Sequence, residues 1–158
     1  MSRLLYEQSV SYNGYLIIPF VLNKAESQSI YSYKLLSELG HKNKLHKADN
    51  PGGIYANKLE LIVDIAKKYL QEHSDTVSTI DYFKHRYTYR NDLIIIYEEA
   101  GKYFYDHYKP YSLNNVAAPK IFVSEQDCIN WVKAGLDRSY LVDGNKRGRE
   151  LRSSEQEE

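Results

Sequence analysis

A single cysteine, Cys128, excludes an internal disulfide and fits a reducing compartment. Neither sign of charge is in excess: Lys+Arg and Asp+Glu each number 21, so the net charge is zero. A dedicated nucleic-acid binder carries a basic surplus, so this balance argues against that role while leaving room for a local basic stripe. No run reaches the ~20 apolar residues that a membrane-spanning helix requires. The opening Met1-Ser2-Arg3-Leu4-Leu5-Tyr6-Glu7 meets charge too early for a signal-peptide core, and a cytoplasmic location is the expectation. A phosphate-cradling glycine loop is also missing. Its nearest approach, Pro51-Gly52-Gly53, lacks the lysine and the spacing of a P-loop.

What the chain has in abundance is tyrosine, 16 of its 158 residues. A ring with an apolar body and a polar tip suits strands buried on one face and wet on the other. The chain also repeats itself. Ser11-Tyr12-Asn13-Gly14-Tyr15-Leu16-Ile17-Ile18-Pro19-Phe20 aligns without a gap on Thr88-Tyr89-Arg90-Asn91-Asp92-Leu93-Ile94-Ile95-Ile96-Tyr97. Each copy has a hydroxyl residue, a tyrosine, a turn triplet, Leu-Ile-Ile and a closing aromatic.

The element order extends the match. Alternation predicts a strand from Leu4 to Tyr12, an Asn13-Gly14 hairpin turn, and a return from Tyr15 to Leu22. Pro19 inside the return predicts an edge or a bulge. A polar connection at Asn23–Ser27 leads to a third strand, Gln28 to Leu36, and a basic loop or short fourth strand follows at His41–Lys47. After the breaker Asn50-Pro51-Gly52-Gly53, Asn57 and Glu60 form a capping box. Leu59, Ile62, Val63, Ala66, Tyr69 and Leu70 then mark one face of a helix ending near His73.

The second half runs Tyr82 to Arg90, Leu93 to Tyr97 and Lys102 to Tyr108. A loop to Pro119 precedes a helix that starts at Ser124 and carries Cys128, Ile129, Val132 and Leu136 as its apolar stripe. The expected fold is α+β: a two-layer antiparallel sheet with helices on one side, built from two pseudo-repeated β-β-β-α units. It spans residues 1–137 as one domain, with repeats at about 4–73 and 82–137, and one continuous sheet is preferred because each half alone would be marginal. Residues 138–158 read as a flexible tail.

Chemistry is thinly represented. His41 and His46 lie among Lys42, Lys44 and Lys47, which oppose a bound cation, so no metal or other cofactor is expected. Cys128, on an apolar stripe, reads as an inert buried thiol. Asp143-Gly144-Asn145-Lys146-Arg147 resembles the core of the loop of the Fic family, which transfers nucleotide or phosphate groups. The family's catalytic histidine would fall at Ser139 and its aromatic at Leu141, so the resemblance lacks the residue that does the chemistry. The chain is not expected to be an enzyme.

Contact surfaces are better supplied. Lys84, Arg86, Tyr87, Tyr89 and Arg90, with Lys102, Tyr103 and Tyr105, alternate cations and rings along two strands. The expected function is a non-catalytic accessory or regulatory protein that binds another protein through a tyrosine-rich sheet surface or an edge strand. The alternative is a nucleic-acid-binding protein using the basic-aromatic strand 82–90, where rings stack bases and cations hold phosphates. A second copy of the chain is a further candidate partner, and a membrane is not expected.

Overall fold

Four tight turns shape the chain, each with two successive residues at positive φ: Asn13–Gly14 (45°, 84°), Glu26–Ser27 (51°, 70°), Arg90–Asn91 (50°, 67°) and Ala100–Gly101 (52°, 77°). Positive φ at both central positions matches the turn's twist to that of the strands it joins. In this computed structural model, which describes residues 2–157 and side chains as far as Asp143, these turns link β1 (Val10–Tyr12), β2 (Tyr15–Ala25) and β3 (Gln28–Ser37), then β4 (Arg86–Tyr89), β5 (Asp92–Glu99) and β6 (Lys102–Tyr108). Helix α1 (Leu59–His73) follows the first triplet and α2 (Glu125–Glu157) the second. The class is therefore α+β, with β-β-β-α in sequence twice.

The strands form two three-stranded antiparallel sheets, ordered β1-β2-β3 and β4-β5-β6, rather than the one continuous sheet expected. The repeated Leu-Ile-Ile explains why. Leu16, Ile17, Ile18, Leu93, Ile94 and Ile95 are all fully buried, so β2 and β5 are central strands covered on both faces. Leu16, Ile18 and Phe20 pack in one cluster with Leu93, Ile95, Phe83 and Tyr108, which sets the two sheets face to face. Ile17 points the other way and joins Tyr15, Tyr33 and Leu35 against Ile62, Val63, Ala66 and Leu70 of α1. A side-by-side sheet would have left one of these faces in water, at ~25 cal/mol for each Å² of apolar surface.

The chain divides into two compact units that cut across the repeats. The first holds Met1–Tyr97 and Tyr105–Pro119, the second Glu98–Phe104 and Lys120–Glu158. In the second, Tyr103 and Phe122 exchange backbone hydrogen bonds at 2.9 Å in each direction. Lys120 places its ammonium 4.6 Å from the Trp131 ring centroid. Cys128, Ile129, Val132 and Leu136 are buried at helical spacing. The Ser124 hydroxyl accepts the Asp127 N–H at 3.1 Å, the cap expected at this helix start.

Several boundaries differ from the sequence expectation. The first strand shrinks to Val10–Tyr12 because Tyr6–Gln8 forms a 3₁₀ turn, closed by the Ser9 hydroxyl donating to Tyr6 O at 2.7 Å. Pro19 lies in a central strand. Its carbonyl accepts Leu5 N–H at 2.9 Å on the outer edge, so its missing donor also faces that edge and removes nothing from the β3 ladder. The expected polar connection at Asn23–Ser27 is mostly strand, tightened to Glu26–Ser27. Helix α1 begins one residue later than Asn57 would place it, with Lys58 at the cap and no side-chain cap bond. The strand expected from Tyr82 starts only at Arg86, because Asp81 accepts the N–H groups of Phe83 and Lys84 in a turn. Helix α2 continues past Asp137, where a tail was expected to start, with Tyr140, Leu141 and Val142 exposed. Of the Asp143–Arg147 string, the side chains after Asp143 lie outside the described residues.

Candidate functional site

The basic-aromatic strand is divided by its own pleat. Arg86 stands opposite Ile95, on the face that meets the first sheet, and Tyr87 stands opposite Ile94. The Arg86 guanidinium is half-buried and used internally: Nε donates to Ser9 Oγ at 3.1 Å, Nη2 to Ser9 O at 3.0 Å, and Nη1 to Phe83 O at 2.9 Å. Burial holds its pKa below the ordinary arginine value, against the pull of Asp81. Lys84 sits exposed in the turn before β4. Tyr87 and Tyr89 are half-buried, and the exposed Arg90 lies over the Tyr89 ring, 5.6 Å from its centroid. Tyr105 is buried, and its hydroxyl accepts the Ala118 N–H at 2.8 Å. Lys102 and Tyr103 belong to the second unit. Lys109 is spent as well: its ammonium lies 3.1 Å from the buried carboxylate of Asp92, which His107 Nε2 approaches at 2.7 Å. The eight residues thus do not form one exposed cationic face, since Arg86 and Tyr105 hold the fold together.

Two other places gather functional groups. A cleft of about 460 Å³ opens between α1 and the Asn50–Gly53 turn, within the ~300–1,000 Å³ usual for small-molecule sites. Asn50 makes the turn: its side chain donates to Ser32 Oγ and Ile54 O, both at 3.0 Å, and its backbone adopts φ 37°. This brings Gly52 flat against α1, where an added Cβ would stand 3.1 Å from the Tyr69 ring. Tyr69 and His73, one helical turn apart, stack with centroids 4.3 Å apart. Tyr33 of β3 lines the cleft. It is fully buried, and its hydroxyl has no hydrogen-bonding partner among the described residues. Burial pushes that phenol up to about 12, with Tyr69 adding to the shift. An unpaired buried hydroxyl costs ~1–3 kcal/mol.

The other place is a polar pocket of about 190 Å³, lined by Glu38, His41, His46, Tyr82, Asp106 and Tyr108 among others. Burial raises the Asp106 carboxyl, opposed by hydrogen bonds from Asn115 Nδ2 at 2.8 Å and the Tyr82 hydroxyl at 3.4 Å. His46 accepts the Ser37 N–H on Nδ1 at 3.0 Å, and burial holds its pKa below the ordinary value. That nitrogen is therefore committed to the fold and is not a base for a substrate. Buried Cys128 is likewise poor as a nucleophile, its thiol pushed up to about 11 by burial.

Sequence reading named neither the Tyr33 cleft nor the Asp106 pocket. The signal for the first was Asn50-Pro51-Gly52-Gly53 ahead of a helix that carries Tyr69 and His73 on one face. The chain matches no protein-family model, no curated protein and no solved structure.

Proposed function

We propose that this chain is a non-catalytic, cytoplasmic accessory or regulatory protein that binds another protein by adding a strand to β2. The observation that supports this reading is the length of β2. β1 pairs only with Tyr15–Ile17, and a lone bridge from Leu4 covers Phe20. Beyond it, no strand among the described residues pairs with the outer edge of Val21–Ala25, while β3 follows β2 to Gln28 on the other side. The bulge between Val21 and Asn23 falls there, and Leu22 is 44% exposed. Natural sheets shield such edges with charge or proline. Here the edge carries an exposed leucine and one lysine, Lys24, an arrangement suited to strand addition with an apolar anchor.

The test is cross-linking from full-length protein with a photoreactive residue at Asn23, together with hydrogen exchange over residues 21–30. The expected result is one stoichiometric protein partner, amide protection of that arm on binding, and loss of both in Leu22→Lys. Binding that survives Leu22→Lys undiminished, or protection confined to other strands, would refute the assignment. Recovery of nucleic acid in its place would move the reading to the strand at 82–90.

A further inference from the structure

We propose that the polar pocket formed by the loop at 37–47 with Tyr82, Asp106 and Tyr108 binds a small primary alkylammonium ion, whose N–H groups the Asp106 carboxylate and the Tyr108 hydroxyl accept. The pocket is separate from the open β2 edge and does not depend on the protein contact proposed there.

All of its walls belong to the first unit. Alternation along β6 puts Asp106 on the same face as Tyr108, whose ring packs between the sheets with Leu16, Phe20 and Phe83. Asp106 therefore faces the first sheet. Its carboxylate takes one hydrogen bond from Asn115 Nδ2 at 2.8 Å and a long one from the Tyr82 hydroxyl at 3.4 Å. No lysine or arginine among the described residues pairs with it. Burial raises this carboxyl above its ordinary range, and a cation in contact with it opposes that shift. Tyr108 is only 5% exposed, and its hydroxyl also has no hydrogen-bonding partner among the described residues. That hydroxyl is not sealed, because the Tyr33 hydroxyl is the one side-chain nitrogen or oxygen among them that is both closed to water and unpaired. With its ring in the core and the pocket at its surface, the Tyr108 oxygen opens to the pocket.

Charge, size and donor count select the occupant. Glu38 and Asp106 against Lys47 leave the lining one negative charge in excess, which favours a monocation. The volume of about 190 Å³ equals the space of about six waters, and it lies below the ~300 Å³ at which drug-sized sites begin. That space holds an ammonium head and a short alkyl chain, for which Leu36 and Phe83 supply apolar wall. An ammonium carries three donors and no acceptor, so it satisfies a carboxylate and a phenol oxygen together. A metal ion fits less well, since no group of three or more His, Cys, Asp or Glu side chains among the described residues is placed to hold one.

The experiment compares probes of matched size on the full chain. The probes n-butylammonium, 1-butanol and tetramethylammonium have the same number of heavy atoms. The alcohol lacks the charge, and tetramethylammonium has the charge without an N–H. Titration of isotopically labelled protein at constant ionic strength, followed at the amides of Phe83, Asp106 and Asn115, should place n-butylammonium in the pocket. It should bind about tenfold more tightly than either other probe, as one charge-assisted hydrogen bond implies. Asp106→Asn keeps the shape and removes the charge, and Tyr108→Phe keeps the ring in the core. Each should weaken n-butylammonium about tenfold and leave both the 1-butanol response and the amide spectrum of the remaining chain unchanged, which shows that the variants fold. A partner's lysine presents the same group, but its peptide unit exceeds the pocket, so N-acetyl-lysine methylamide should bind more weakly than n-butylammonium. Equal affinity for the three matched probes, shifts confined to other residues, or a preference that persists in either variant would each overturn the proposal and leave a hydrated pocket. Lysine amide binding as tight as n-butylammonium would overturn the free amine as occupant.

Discussion

Replacing Arg86 by alanine removes three hydrogen bonds at once and leaves Ser9 O, Ser9 Oγ and Phe83 O facing a gap between strand and N-terminal turn. A hydrogen bond to a charged group contributes ~1.5–3 kcal/mol when buried. Half of the guanidinium is still wet, so the sum must be cut by more than half for solvent screening. Part of what remains offsets the desolvation that lowers the Arg86 pKa. The expected loss is ~2–4 kcal/mol, which moves a urea midpoint by ~1–2 M at the usual slopes. Arg86→Lys should recover less than half, because one ammonium on a flexible stem cannot span Ser9 and Phe83 as a planar fork does. Lys84→Ala, in the exposed turn, should change stability by less than ~0.5 kcal/mol. Equilibrium urea unfolding followed by far-ultraviolet circular dichroism gives all three numbers. If Arg86→Ala unfolds at the same midpoint as the native chain, the internal role assigned to Arg86 is wrong, and the strand's cations return as candidates for a ligand surface.

Further outcomes follow for His46 and for two turn glycines. His46 has a folded pKa below the ordinary 6.5 because burial opposes its charge. The stability it contributes is therefore present above 6.5 and lost as pH falls through the folded value. Thermal unfolding from pH 7.5 down to pH 5 should show this fall, and His46→Gln should flatten it. A profile in the variant as steep as in the native chain would remove His46 as the cause. Gly14→Ala should destabilise by ~2 kcal/mol or more, from a φ of 84° that alanine resists and a Cβ 2.9 Å from the Glu38 carboxyl. Gly101→Ala meets the same φ penalty with no atom within 4 Å, so in denaturant titrations it should cost clearly less; equal costs would refute the steric part.

Much of the architecture was legible because it rests on local rules. Asn13-Gly14 reads as a two-residue turn since both positions need positive φ, and Arg90-Asn91 adopts the same geometry with poorer residues for it. The stripes of α1 and α2 were legible for the same reason, as was the Ser124 cap. Boundaries failed where a side-chain hydrogen bond made a turn in place of the expected strand. Ser9, for example, ends the N-terminal turn and also receives Arg86. The candidate site was the least legible part. Tyr33 is one of sixteen tyrosines, and nothing beside it in the chain distinguishes it from Tyr31.

The sequence by itself determined the α+β class, the doubled β-β-β-α order, the central Leu-Ile-Ile strands and both helix faces. Each of these follows from φ/ψ preference or from a periodicity of two or 3.6 residues, which a short window contains. Tertiary structure alone decided that the sheets meet face to face, that Arg86 and Tyr105 are consumed inside the first unit while Lys109 pairs with Asp92, and that the Tyr33 hydroxyl ends buried without a partner among the described residues. Those outcomes depend on which buried faces find each other across many residues. A cation or a phenol reads alike in sequence whether its partner is solvent, a distant carbonyl, or a ligand.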